Sequence, residues 1–427
     1  MKSTLKLFKK TKSRIVNSIA FYPILISVGF FFLAIILLFL ENLEIINTFK
    51  KQVPFLLVQG NETARTILST LFGGILSLTV FSFTMVMVVL NQASSNFSPR
   101  LLPGLISNKK HQIILGFYIG TILYTIIILM SLGAYGSSKN AVGFSVMIAA
   151  VLGAFCIGLF VYFIHSISQS IQIHNIIDKI YVSGYKLLKK EEQEQEDINF
   201  KNQNTSFQHW KIIRSKTTGY YRSFDIALAQ DSLKSKNNIL EIVPYIDQHI
   251  WKGDPVIRIK EPISQEELKS LYTSLYILSN RHDKDSGVGN MIKLTEVAVK
   301  ALSPGVNDPG TAINAISKLG QLVHQALKIK PKTIKDIFDC QIVVIHNKIS
   351  ALELMRIVIE PIRIYAKADS AVSYELLNAL IFIRNSKEIY PRHKEAIQNE
   401  IIALKNDLKN NISNNHDLKR ILDLLEK

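Results

Sequence analysis

Polar side chains recur at a regular interval in one otherwise apolar stretch of the chain. Thr70, Ser77, Thr84 and Asn91 follow one another at intervals of seven residues, which places them on one face of an α-helix. Two interpretations of this polar stripe stay open. In the first, its hydroxyl groups bond to the carbonyl four residues earlier or to a neighbouring helix, and so hold helices together. In the second, several copies of the helix surround a polar pore.

A second polar group flanks a predicted helix late in the chain. Its members could converge on a ligand or a cation: they are Arg281, His282, Asp283, Asp285, Asn307 and Asp308. The structural alternative is a well-capped helix start, because Asp308 suits the N-cap and Pro309 the first helical position. An EF-hand is excluded, since the twelfth position counted from Asp283 is Leu294 rather than Glu.

Catalytic motifs are missing from the sequence. There is no GxxxxGK[ST], GxSxG or HExxH string and no protein-kinase motif set. The two cysteines, Cys156 and Cys340, are too few for a disulfide framework or a four-cysteine zinc site. We therefore expect no enzyme activity, no cofactor and no bound metal, and we keep a membrane-tethered enzyme only as a third hypothesis.

The elements that carry these residues begin with four long apolar runs. The chain has 427 residues, of which 48% are hydrophobic, and the excess lies in the first 165. Each run has roughly 22–25 residues without Asp, Glu, Lys or Arg, enough for a helix to cross a hydrocarbon core of ~30 Å. The first is too long for a signal peptide and should remain as an anchor. The runs are Ile19–Leu40, Thr66–Leu90, Gln112–Ala134 and Ala141–Ile164.

The basic residues predict the orientation of these runs. Lysine and arginine exceed acidic residues at the N-terminus, after the second run and after the fourth, within a net charge of +16. The positive-inside rule then puts both termini in the cytoplasm, with the N-terminus against anionic headgroups. Nucleic acid is not an expected partner, because no recognition motif accompanies the charge. We assign four residues to the junction of membrane and cytoplasm: Ser98, Pro99, Arg100 and His165.

Small residues in the later runs predict close helix packing. Gly116 and Gly120 form a GxxxG pair, and Ala150, Ala154 and Gly158 form a small-residue ridge. Such positions let helix backbones approach closely in lipid. They indicate a compact bundle, a homo-oligomer, or both.

Residues 166–427 predict a cytoplasmic α+β domain after the four-helix membrane bundle of residues 1–165. An amphipathic helix and a charged linker cover 166–203, a small barrel-like β-unit covers 204–262, and a mainly helical part covers 263–427. The strands expected in the β-unit are Gly219–Phe224, Ile239–Val243 and Pro255–Ile259.

Four strings together resemble a known family. They are QASSNFSPRLLP (Gln92–Pro103), LGFYIGTILY (Leu115–Tyr124), FIHSISQSIQ (Phe163–Gln172) and ALSPGVNDPGTA (Ala301–Ala312). They are similar to the bacterial predicted membrane proteins called domain of unknown function 2254. The resemblance implies a bacterial inner-membrane protein with four N-terminal spans and a cytoplasmic C-terminal domain, and it implies no particular activity.

The sequence therefore predicts a multi-pass inner-membrane protein that associates with itself and passes or gates a small ion or solute. Its cytoplasmic domain would assemble or regulate it. The alternative is a non-conducting sensor or scaffold, whose cytoplasmic domain binds a ligand or partner.

Overall fold

The computed structural model describes residues 18, 20–41, 43, 46, 58, 60–96, 109–134, 143–196, 210–230, 238–279, 286–337 and 342–426. The chain divides into two compact units, and the main boundary lies between Gln172 and Ile173. The first unit contains the four long apolar helices, apart from Asn96, and the second contains the strands found among the described residues.

Four helices of the first unit are long and apolar enough to cross a membrane. Among the described residues, these four candidate spans correspond to the four apolar runs predicted from the sequence. They are α1 (Phe21–Leu40), α2 (Asn61–Asn96), α3 (Lys109–Ala134) and α4 (Gly143–Ile171).

The GxxxG pair, Gly116 and Gly120, lies where α3 packs against α1 of the same chain. A β-carbon at Gly116 would come within 3.1 Å of the Pro23 α-carbon on α1, and one at Gly120 within 2.8 Å of the Phe30 ring. Contacts shorter than about 3.4 Å to carbon are already repulsive, so α1 and α3 approach this closely only because both positions are glycine.

A buried glutamate joins the end of α1 to the start of α4. Both carboxylate oxygens of Glu41 accept backbone N–H groups, from Phe144 at 2.9 Å and from Ser145 at 3.1 Å. The Ser145 hydroxyl donates to the same carboxylate at 2.7 Å. Since the first turn of α4 contains no acidic residue of its own, Glu41 supplies the negative charge that a helix N-terminus favours.

The second unit begins with α5 and then builds two sheets. The elements are α5 (Ile173–Glu196), β1 (Lys211–Arg214), β2 (Gly219–Phe224), α6 (Ile226–Gln230), β3 (Asn238–Ile242), β4 (His249–Ile250), β5 (Pro255–Ile259), α7 (Gln265–Ser274), β6 (Leu275–Leu278), α8 (Gly287–Ala301), α9 (Pro309–Lys328), β7 (Lys332–Ile337) and β8 (Ile342–Asn347). One sheet has the order β1-β5-β3-β8-β7 and the other β4-β2-β6.

The described strands form open sheets rather than a closed barrel, so the barrel-like unit is not confirmed. The central strand β3 pairs in parallel with β8, Asn238 opposite Ile342. A parallel pair needs a long crossover connection, and this one contains α7, α8 and α9. The main sheet therefore draws strands from both sides of the boundary that we predicted at residue 262.

Buried aliphatic side chains hold the sheets together. Leu240, Ile257 and Val344 are fully buried in one cluster that also includes Tyr221 of β2. Glu241 of β3 is also buried: its carboxylate pairs with Arg258 of β5 and Lys332 of β7 and accepts a hydrogen bond from the Asn347 amide of β8.

The C-terminal part is helical, as predicted. It contains α10 (Ala351–Leu354), a π-helical turn (Met355–Ile359), α11 (Glu360–Ala366), α12 (Ser370–Asn385), α13 (Pro391–Asn411), α14 (Asn415–Leu422) and a final 3₁₀ turn (Asp423–Glu426). The π-helical turn ends two residues before Pro361, which has no N–H to donate. The Thr295 hydroxyl of α8 donates to the Val358 carbonyl in this turn at 2.9 Å.

Candidate functional site

The polar stripe lies on the outside of the first unit. Thr70, Ser77, Thr84 and Asn91 are all exposed on α2. The buried residues of α2 occupy the opposite side of the helix, about half a turn away at 100° per residue; they are Ala64, Leu68, Ile75, Ser82 and Val89. Within the described part of a single chain, the stripe is thus turned away from the other helices.

The stripe hydroxyls are satisfied by their own helix. Thr70 donates to the Thr66 carbonyl at 2.8 Å, Ser77 to Gly73 at 2.9 Å and Thr84 to Val80 at 2.9 Å. This is the bond that our first interpretation named. A hydroxyl in this arrangement keeps a free lone pair, so it can still accept a hydrogen bond from a second molecule.

A second outward surface lies on α4. Ala150, Ala154 and Gly158 are exposed, and a β-carbon at Gly158 would meet nothing within 4 Å. By contrast, Gly153 on the same helix faces Leu71 of α2. Within the part of the chain that the structure describes, the small-residue ridge is therefore not used for helix packing.

Of the four junction residues, only His165 lies within the described part of the chain. Its side chain is exposed near the end of α4. Ser98, Pro99 and Arg100 lie outside the described residues.

The predicted ligand group is described only in part. Asp308 is the N-cap of α9: it accepts the Thr311 N–H at 3.0 Å and the Thr311 hydroxyl at 2.6 Å, and Pro309 takes the first helical position. These hydrogen bonds lower the pKa of Asp308. Asn307 precedes it with a left-handed φ of 47°, which Asn tolerates better than most residues. The capping prediction is confirmed.

The other members of that group lie outside the described residues, so their convergence with Asn307 and Asp308 stays a prediction. They are Arg281, His282, Asp283 and Asp285. Ser286, the next residue, is the N-cap of α8, and Asn307 lies beyond the other end of that helix. A helix of 15 residues is roughly 22 Å long.

A cavity of about 350 Å³ lies wholly within the second unit. Its wall is mainly apolar, with a few polar groups at defined places, which is the usual composition of a small-molecule site. The end of α5, the strand β2, the turn after β3 and the first residues of α8 all contribute to it. We name this space the α5–α8 cavity.

Tyr221 is the most deeply buried polar residue that lines the cavity. Its side chain is 2% exposed, and burial raises the pKa of its phenol. Its backbone is fixed on both sides, because its N–H donates to the Gln248 carbonyl at 3.0 Å and its carbonyl accepts from Asp247 at 2.8 Å. Among the described residues, its hydroxyl has no hydrogen-bond partner.

A buried polar chain anchors the cavity wall. Arg222 and Asp247 form an ion pair, and Asp247 also accepts a hydrogen bond from Ser286. The Ser286 oxygen in turn accepts the Gly289 N–H at 2.8 Å and so caps α8. Asp247 has a left-handed φ of 73°. The two charges compensate each other. Because these contacts run from Arg222 on β2 to the N-cap of α8, they fix the start of α8 relative to β2.

Charged side chains surround the opening. Lys348 pairs with Glu191 of α5, and Lys190 lies 3.9 Å from Glu194. Two positive and two negative groups leave this rim with no net charge. Elsewhere too, the described residues hold no group of three His, Cys, Asp or Glu side chains that could bind a metal ion.

Sequence reasoning missed this cavity. Its residues come from positions between 187 and 349, and no motif joins them. The local signal available was Ser286 before Gly287, a favourable N-cap that marks where α8 begins.

Comparison with known proteins places this architecture in a family. Residues 16–381 match the family described as predicted membrane protein (DUF2254). The chain belongs to this family. The resemblance recognised in the four sequence strings is therefore confirmed, and so is the membrane character of the protein.

Three mycobacterial relatives are similar over part of the chain. They are the uncharacterized proteins MT1328 and Rv1290c of two strains of Mycobacterium tuberculosis, and Mb1321c of Mycobacterium bovis. Each is 25% identical over 268 residues, which cover 58% of this chain and 48% of the relative. The match thus spans about half the length of these relatives. No solved structure matches the chain.

Proposed function

We propose that this protein associates with itself in the bacterial inner membrane and passes or gates a small ion or solute. The single observation that carries the proposal is the outward position of the polar stripe on α2. Lipid-facing surfaces gain nothing from polar side chains, whereas interfaces between membrane helices commonly contain them. When copies meet through this face, Thr70, Ser77 and Thr84 line the contact or a path along it.

The unused ridge on α4 supports the same proposal. Small residues allow close approach between helices of different chains just as within one chain. The first unit therefore has two outward surfaces of the kind through which membrane helices associate. One carries the polar stripe of α2, and the other carries the small residues of α4. The apolar residues that remain exposed on α1, such as Ile24 and Phe39, suit lipid.

The chemistry of the stripe favours a small ion or a neutral solute over a coupled proton. None of the stripe residues is ionisable, and the apolar run Thr66–Leu90 contains no Asp, Glu, Lys, Arg or His. Proton-coupled carriers usually need such a group in the membrane. Both termini would lie in the cytoplasm, with the basic N-terminus against anionic lipid.

Flux measurement in liposomes tests this proposal. The full-length protein should conduct, and Ser77→Leu and Thr84→Leu should each lower the flux at least several-fold. Phe83→Leu is the matched control, because Phe83 is exposed on α2 but lies off the stripe; its flux should equal that of the wild type. A strictly monomeric particle without conductance under any ion gradient would refute the proposal.

A second candidate function is a non-conducting sensor or scaffold. The α5–α8 cavity favours it, since a mainly apolar cavity with a few polar groups suits a small ligand. The two candidates differ in a simple way: a sensor binds its ligand without any flux. Accessibility of a tag after Lys427, tested in intact cells, checks the cytoplasmic orientation that both require.

A further inference from the structure

We infer that the α5–α8 cavity binds a small organic anion with a compact apolar body, whose charged group lies against the Tyr221 hydroxyl and the first amides of α8. This inference deepens the ligand site of the second candidate function. It does not depend on conduction through the first unit.

The Tyr221 hydroxyl supplies the first argument. Tyr221 is almost fully buried, yet its phenol has no hydrogen-bond partner among the described residues. Its oxygen is not among the unpartnered polar atoms that are sealed from solvent, as expected for a residue that lines the cavity. Tyr245, which also lines the cavity, does have a partner: its hydroxyl donates to Glu353 at 3.1 Å. A ligand oxygen in the cavity would give Tyr221 the acceptor that its surroundings do not provide.

The start of α8 supplies the second argument. Gly287 and Val288 line the cavity, and they are the first two residues of a 15-residue helix. Their N–H groups have no acceptor among the described residues, as expected for the first turn of a helix. Since this turn contains no acidic residue, the partial positive charge of the helix end favours an anion.

The rest of the wall fits an apolar body. Phe224, Pro244, Ile246 and Ile329 line the same space. A volume of about 350 Å³ lies at the small end of the usual range for ligand sites. The size therefore suits a molecule with one ring or a short branched chain, and it is too small for a dinucleotide.

The rim charges explain why selectivity must come from the interior. Lys348 is held by Glu191, and Lys190 is close to Glu194. These pairs cancel one another, so the opening attracts neither sign strongly. Asp247 is likewise compensated by Arg222. The amides of Gly287 and Val288 and the phenol of Tyr221 have no acceptor among the described residues, and these three residues line the cavity.

A carboxylate and a phosphate monoester share this chemistry, and one experiment separates them. Isothermal titration calorimetry is performed on the full-length protein in detergent with benzoate, phenyl phosphate and inorganic phosphate. We expect saturable binding of at least one aromatic anion, at least tenfold tighter than inorganic phosphate. Tighter binding of phenyl phosphate assigns a phosphate ligand, and tighter binding of benzoate assigns a carboxylate.

Two variants locate the binding in the cavity. Tyr221→Phe removes one hydrogen bond and should weaken the tighter anion about five- to tenfold. Ala326→Phe fills the space from α9 and should abolish binding. Tyr220→Phe is the matched control, because it removes a hydroxyl from the same strand at a residue that does not line the cavity. Its affinity should equal that of the wild type.

Two results would overturn the inference. One is the absence of saturable binding for both aromatic anions by a protein that remains folded. The other is equal affinity in the wild type, Tyr221→Phe and Ala326→Phe. Anion binding without flux would support this inference and count against conduction through the first unit. Flux without anion binding would support conduction and count against this inference.

Discussion

A β-carbon at Gly287 would overlap the side chain of Leu188, which is itself buried. Helices α5 and α8 therefore lie as close together as they do because position 287 carries no side chain. Both residues line the α5–α8 cavity. The glycine thus connects the packing of two helices with the shape of the space between them.

Gly287→Ala should destabilise the protein despite the better helix propensity of alanine. That propensity is worth up to about 1 kcal/mol, whereas overpacking a filled site costs about 1–3 kcal/mol. We expect a lower Tm of the full-length protein in detergent. Gly305→Ala is the control, because a β-carbon there would meet nothing within 4 Å. An unchanged Tm in Gly287→Ala would mean that α5 shifts without cost.

Asp308 offers a test of how its side chain caps α9. Asp308→Ala removes the acceptor for the Thr311 N–H and should cost about 1 kcal/mol, which corresponds to a fall in Tm of about 2–4 °C. Asp308→Asn keeps a good cap and should leave Tm nearly unchanged. If the asparagine variant is as unstable as the alanine variant, the negative charge at the helix N-terminus, rather than the hydrogen bond to Thr311, stabilises α9.

Local patterns predicted the helices and several strands correctly. The bounds Gly219–Phe224 and Pro255–Ile259 are those of β2 and β5, and Asp308 caps α9 as expected. Each of these rests on neighbouring residues alone. The parallel pairing of β3 with β8 could not be predicted in this way, because it joins segments about a hundred residues apart and gives no local signal.

The candidate sites illustrate the same limit. Spacing correctly grouped Thr70, Ser77 and Thr84 on one face of α2, but it could not tell whether that face is covered within the chain. The answer depends on where the other helices lie. The cavity was missed for a related reason: Tyr221 alternates like any strand residue, and only tertiary packing makes it part of a cavity wall.

Glu241 should make stability sensitive to acid. Burial raises the pKa of this carboxyl, but hydrogen bonds from Lys332, Arg258 and Asn347 outweigh it and hold the pKa below the ordinary value of about 4.5. A group whose pKa is lowered by folding stabilises the protein fully above its ordinary value, and it loses that contribution as pH falls through the lowered one. We therefore expect Tm to fall as the pH drops below about 4.5.

The variant Glu241→Gln isolates that contribution. It should lower Tm at neutral pH, because two cations lose their buried partner, at a cost of about 1–3 kcal/mol after allowance for the partial exposure of Lys332 and Arg258. The fall of its Tm with decreasing pH below about 4.5 should also be smaller than that of the wild type. Glu261→Gln is the control, since that exposed side chain only approaches Lys260 at 3.9 Å. If Tm falls equally with pH in Glu241→Gln and in the wild type, other groups cause the acid sensitivity.

Glu41 should be the glutamate on which the first unit depends most. Its carboxylate is 2% exposed and accepts two backbone N–H groups and one hydroxyl at the start of α4. Glu41→Ala leaves those donors buried without an acceptor, which we expect to cost about 1–3 kcal/mol. Glu41→Gln keeps one carbonyl acceptor but loses the charge that favours the helix end, so an intermediate loss follows. Glu62→Ala is the matched control, because Glu62 also lies in the first turn of an apolar helix but is exposed, and its removal should change little.

The measurement is the temperature at which each detergent-solubilised variant loses its monodisperse peak in size-exclusion chromatography. Equal temperatures for Glu41→Ala and Glu62→Ala would show that α4 begins without help from the end of α1.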